Sequence, residues 1–161
     1  MTEPCRALRG LLEAVVREYR RILGRNLAGI YLHGSAAFGC FRWQTSDIDL
    51  LVAVHAPPSS RQKEGLVRTL LAQGTAAPPA GFEMSVVLVR YCRQFVWPVP
   101  YELHFSNMHR ASFEKDLSAA WGGKAHASCS APSRLAHIKP PFCTTQPPPC
   151  RMPGQNLYRW C

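Results

Sequence analysis

The stretch Tyr31–Val52, "YLHGSAAFGCFRWQTSDIDLLV", decides how the rest of the chain is read. It holds a Gly-Ser pair, a gap of about a dozen residues, and two aspartates one residue apart inside an apolar run. Ala28–His33 (AGIYLH) reads as a short buried strand stopped at Gly34. Ser46–Val54 (SDIDLLVAV) reads as a second strand. Residues two apart on a strand leave the same face, about 7 Å apart along the chain. Asp47 and Asp49 therefore share a face, and Ser46 and Ile48 take the other. Two carboxylates on one face repel, and burying them bare is costly. A hard divalent cation such as Mg²⁺ removes that cost, and it also takes phosphate oxygens. A glycine at a strand end lets backbone approach a ligand closely. The turn N–H groups and the Ser35 hydroxyl beside Gly34 suit an anion.

Elements on either side follow from periodicity. Leu8, Leu11, Leu12, Val15, Tyr19, Ile22 and Leu23 fall on one helical face, with Thr2 as a cap, Pro4 in the first turn and Gly24 as the stop. Ser59 or Ser60 caps a helix carrying Leu66, Val67, Leu70 and Leu71, ended by Gly74. Phe82–Tyr91 (FEMSVVLVRY) predicts a third strand, rich in β-branched residues. The segment "WPVPYELHF" is expected to be extended but unpaired, because of its two prolines, and Ser106 to cap a last helix through Leu117. A third carboxylate is needed to complete a metal site or take a proton. Glu83, at the head of the third strand, is preferred over Glu102, which follows the proline-rich loop.

Charge and cysteines set outer bounds. The chain has 161 residues and a formal charge of +9, room for one domain with an appendage. All ten acidic residues lie between Glu3 and Asp116; the part from Leu117 onward carries +5, leaving +4 on residues 1–116. No basic run interleaved with aromatics appears, which argues against a nucleic-acid partner. No secretory signal or membrane-length apolar stretch is visible, so a cytoplasmic protein is expected. Cys5, Cys40 and Cys92 are expected as free thiols. Cys129, His126, His137 and Cys143 match no common zinc spacing. Residues 119–161 hold half of the chain's prolines and no apolar periodicity. They are expected to form a disordered Pro/Cys-rich tail behind a domain at 1–118.

"HGSAAFGCFRWQTSDIDLLV" resembles the signature of the DNA polymerase β-like nucleotidyltransferase superfamily, and more narrowly that of the aminoglycoside adenylyltransferases acting on streptomycin and spectinomycin. "FEMSVV" and, loosely, "VWPVPYELHFS" (Val96–Ser106) continue the likeness, which covers about Leu8–Asp116. The resemblance implies an α/β (α+β) fold, a small mixed sheet with helices packed against it. It implies AMP transfer from ATP to a hydroxyl of a small-molecule acceptor with release of pyrophosphate. Asp47 and Asp49 would bind Mg²⁺; Gly34 and Ser35 would hold the ATP phosphates, with Ser46 also on the nucleotide side; Glu83 would be the general base.

Two departures stand out. A tryptophan that contacts the drug in that family falls at Met108 here, and the family's acidic helical C-terminal domain is replaced by the basic tail. The change after "FEKDLS" suggests a shifted frame, a retained intron or a misassembled gene model. As it stands, the chain is expected not to adenylylate an aminoglycoside appreciably. Its alternatives are a minimal nucleotidyltransferase acting on protein or RNA, or a truncated, non-catalytic remnant.

Overall fold

A computed structural model of the chain describes residues 3–94, 98–118, 121–124 and 158–160. Helix α1 (Glu3–Leu23) opens the chain and stops before Gly24, whose φ of +52° glycine tolerates best. A 3-10 turn leads into strand β1 (Leu27–His33), and a single helical turn, α2 (Gly34–Ala37), follows. Strand β2 (Ile48–Val54), helix α3 (Ser60–Gln73) and strand β3 (Phe82–Leu88) come next. After them lie α4 (Val89–Arg93), β4 (Pro100–Ser106), α5 (Arg110–Lys115), β5 (Trp121–Lys124) and β6 (Tyr158–Trp160). The sheet order is β5-β4-β3-β2-β1-β6, with β2 and β3 parallel and every other pair antiparallel. This is the expected mixed sheet with packed helices.

One face of the sheet carries the main core. Leu12, Val15 and Tyr19 from α1 and Leu66, Val67 and Leu70 from α3 meet Ile30, Leu32, Leu50, Val52, Met84 and Val86 from the strands. The Tyr19 hydroxyl donates to the Leu66 carbonyl at 3.4 Å, and burial holds it well above the ordinary tyrosine range. Ser59 caps α3: its hydroxyl accepts from the Gln62 N–H at 3.3 Å while the Gln62 side chain takes the Ser59 N–H at 3.0 Å. On the other face a small cluster of Leu51, Val87 and Val99 has Tyr31, Tyr91 and Tyr101 around it.

Three expectations need correcting. The third strand ends at Leu88, and Val89–Tyr91 turn into α4. Leu88 pairs with Val54, the last residue of β2, so no ladder partner lies beyond it. The proline-bearing segment does pair: Pro100 is the first residue of β4, and Tyr101–Ser106 keep their N–H groups and lie between β3 and β5. Cys5 is disulfide-bonded, whereas Cys40 and Cys92 are free thiols. Pairing depends on Cα separation in the fold, which spacing along the chain does not reveal.

The described parts of 119–161 are two edge strands, β5 and β6. The rest of the expected tail, His126, Cys129, His137 and Cys143 with it, lies outside the described residues, as does Thr2. Among the described residues no helix is long and apolar enough to cross a membrane.

Candidate active site

Strand register assembles the site. His33 pairs with Asp49, Asp49 with Glu83, and Glu83 with Ser106, so four polar residues form one row across β1, β2, β3 and β4. Directly paired residues project from the same face. That face is opposite the one carrying Leu50 and Met84, and so opposite α1 and α3. Asp47, two residues before Asp49, returns to the same side. One carboxylate oxygen from each of Asp47, Asp49 and Glu83 lies within 4.8 Å of the others. Asp49 is only 9% exposed, and it is the buried charged residue among those described.

The chain holds this arrangement with backbone bonds on both flanks. The Ser46 N–H donates to the Arg42 carbonyl at 2.8 Å, and the Arg42 N–H donates to the Ser46 hydroxyl at 3.0 Å. Ser46 thus closes the turn that delivers Asp47. The Ile48 N–H donates to the Gly81 carbonyl at 2.9 Å, which aligns the start of β2 with that of β3. Gly81, at φ +76°, lies against Asn107, just past the end of β4.

Gly34 is required twice over. Its φ is +63°, and a Cβ there would overlap the Asp49 carboxylate. The backbone of the Gly-Ser turn therefore lies directly on the acidic pocket. Behind it, the Ser35 hydroxyl oxygen is buried with no hydrogen-bond partner among the described residues. A buried hydroxyl in that condition is open to a bound water or ligand.

The three sequence-chosen carboxylates are together, and the Gly34–Ser35 turn is beside them. Glu102 is elsewhere: its carboxylate meets Lys63 Nζ at 3.6 Å. It lies four residues down β4 from Ser106, on the order of 13 Å along the strand. Met108 is 89% exposed on the 3-10 turn that follows Ser106, at this same end of the sheet. Sequence reading did not place His33 or Ser106 in the row. Their signal was present only as polar residues at the ends of two strand patterns, and Ser106 had a second use, since its hydroxyl also accepts from the Met108 N–H at 3.4 Å.

A second row, two residues deeper on the same face, runs Tyr31, Leu51, Ser85 and His104. Ser85 Oγ and His104 Nδ1 are 3.0 Å apart. Burial, reinforced by nearby His109, lowers the His104 pKa from the usual 6.5, so the ring is neutral at neutral pH. Burial also pushes the Cys92 thiol up from 9.0, which leaves it a poor nucleophile.

Chemically, the cluster is an all-oxygen, acidic set of the kind hard divalent cations take. Three carboxylates this close repel unless a cation or protons offset their charge, so a divalent ion fits the residues present.

No protein-family model matches the chain. Among solved structures, it is similar to that of spectinomycin adenyltransferase AAD(9) from Enterococcus faecialis with ATP and spectinomycin, with a TM-score of 0.62 and 19% sequence identity over 72% of this chain. The chain spans about half of that structure, 48% of its length. At this identity the likeness is one of fold alone.

Proposed function

We propose that the chain carries the nucleotide-handling domain of a Mg²⁺-dependent nucleotidyltransferase, one whose reaction moves AMP from ATP to a hydroxyl of a small molecule of the aminoglycoside-antibiotic class, and that with its basic tail it transfers little to such a drug. The observation that carries this reading is the meeting of Asp47, Asp49 and Glu83 within 4.8 Å, against a Gly-Ser turn whose buried hydroxyl has no partner among the described residues. The fold shared with a structure holding ATP and spectinomycin supports it. The acceptor class rests on the sequence resemblance together with that neighbour.

In this reading Asp47 and Asp49 hold the metal. Mg²⁺ supplies charge neutralisation at the phosphates and a template for in-line displacement. Gly34 admits the triphosphate close to the backbone, and the Ser35 hydroxyl donates to a phosphate oxygen. Glu83, held rigidly beside Asp49, accepts the proton of the acceptor hydroxyl. The acceptor oxygen bonds to the α-phosphorus, the bond from that phosphorus to the bridging oxygen breaks, and the electron pair leaves with pyrophosphate.

The test is calorimetric titration of the full chain with ATP, with and without Mg²⁺, followed by radiolabelled AMP transfer to streptomycin and spectinomycin. ATP binding that needs Mg²⁺ and is lost in Asp49→Asn is the expected result. Binding indifferent to both would overturn the site assignment. Mg²⁺-dependent binding with AMP transfer to protein or RNA and to neither drug would overturn the acceptor class and leave the nucleotide site standing.

A further inference from the structure

The positive charge of the folded part is not spread over it. Helix α1, the turn after it and α3 together carry nine basic and four acidic residues, a net +5. The remainder of residues 1–116 carries a net −1. The two helices lie side by side over one sheet face, and the acidic row lies on the other. The molecule is therefore two-faced: acidic chemistry in front, arginines behind. No basic run marks this in the sequence, because the cations come from segments some forty residues apart and are gathered only by packing of α1 against α3.

Between these helices is a groove of about 800 Å³. Arg21, Arg61 and Arg68 line it, with Glu18 as its acidic group. Glu18 is taken up by Arg21 at 2.9 Å. Arg61 and Arg68 are exposed and have no carboxylate partner among the described residues. Seven residues apart on a helix, they share one face at roughly 10 Å separation. Gly65, midway between them, meets Ile22 of α1 so closely that a Cβ would sit 3.2 Å from Ile22 Cδ1. That contact brings the helices together and sets the groove floor. Ser59 and Gln62, at the amino end of α3, also face the groove.

We propose that this groove is a docking surface for the phosphate backbone of a nucleic-acid strand. Guanidinium groups take phosphate oxygens two at a time, and phosphate binding needs charge and spacing rather than side-chain pockets. Ile22 and Ala72 are the apolar side chains that line it, with no larger apolar residue among them, so an acidic peptide would find little seat for the buried anchors that hold peptides. No aromatic residue lines it, and surface-lying membrane helices rely on such groups. The surface is separate from the acidic site and does not depend on its chemistry.

The experiment measures binding of the full chain to a fluorescent single-stranded RNA longer than the roughly 4–16 nucleotides such surfaces cover. Salt is varied, and the comparison is with Arg61→Gln/Arg68→Gln and with a tail control, Arg134→Gln/Lys139→Gln. Glutamine keeps helix propensity close to that of arginine, and circular dichroism checks the fold. The groove pair is expected to weaken binding about tenfold or more at low salt and to flatten the log–log salt slope by about 1.4, near 0.7 per lost phosphate contact. The control should change both far less. An equal loss in the control would assign binding to the tail and overturn the proposal. So would groove-dependent binding of a polyglutamate peptide, or of vesicles rich in anionic lipid, as tight as that of RNA.

Discussion

Replacing Asp47 by asparagine should raise the stability of the metal-free protein and remove its response to Mg²⁺. Asp47 is partly exposed, and its carboxylate lies within 4.8 Å of those of Asp49 and Glu83. Two unit charges at that distance repel by about 1 kcal/mol in water and by about 3.5 kcal/mol at an effective dielectric constant near 20. Partial exposure favours the lower figure. Removing two such repulsions should stabilise the apo protein by about 1–2 kcal/mol, which is several degrees of melting temperature for a domain of this size. Adding Mg²⁺ reverses the order. An ion at ten times its dissociation constant stabilises the native state by about 1.4 kcal/mol, and only a protein able to bind it gains this. The assay is thermal unfolding of wild type and Asp47→Asn in chelator and in a Mg²⁺ series. The two melting curves should exchange places as Mg²⁺ rises. If Asp47→Asn melts below wild type in chelator and gains as much from Mg²⁺, the three carboxylates are not a cation site and the reasoning fails.

The remaining predictions are more compact. Gly34→Ala must adopt a left-handed conformation at about 1–2 kcal/mol and displace the Asp49 carboxylate; a double-mutant cycle with Asp49→Ala should show coupling, and strict additivity in denaturant unfolding would contradict the overlap. Glu83→Gln should lower turnover by roughly 10²–10⁴ with little change in ATP affinity, while Glu102→Gln, which only loosens Lys63, should not; the reverse outcome in steady-state kinetics would move the base to Glu102. The folded-state pKa of His104 lies below the unfolded value of 6.5, so the unfolded chain binds more protons on acidification. Its contribution to stability is present above pH 6.5 and is lost as pH falls from there toward the folded pKa, whereas the depressed Asp116 acts only around and below 3.8. Denaturant midpoints between about pH 8 and 5 should fall in wild type and flatten in His104→Gln; identical profiles would show that the ring is not buried neutral.

Much of this was legible because it is local. The pairing of a Gly-Ser strand end with an Asp-Ile-Asp strand, the cap at Ser59 and the stop at Gly24 each follow from residues within a few positions of one another. Glu83 was legible for a different reason: an acid heading an apolar strand is costly wherever the strand is buried. What was hidden is what depends on neighbours distant in sequence. Nothing in "FEMSVVLVRY" says that its partner strand runs out opposite Leu88. Nor do the two prolines of "WPVPYELHF" show that β4 begins on the second of them, where a missing N–H costs the ladder least. The disulfide at Cys5 and the arginine groove behind the sheet are likewise products of tertiary proximity.

The row from His33 to Ser106 makes the site a checksum on strand pairing. A slip of β3 by a single residue would turn Glu83 to the helix side and put Met84 among the aspartates. The three carboxylates can meet only after β3 has been laid parallel to β2 across the whole of α3, and such non-local parallel pairing is among the slowest events in small-domain folding. Cation affinity should therefore emerge late in refolding, after most of the helical signal has returned. Evolution is constrained in the same way: an insertion inside either strand erases the site at once, while length changes in the loop between Phe38 and Arg42 leave its pairing arithmetic untouched.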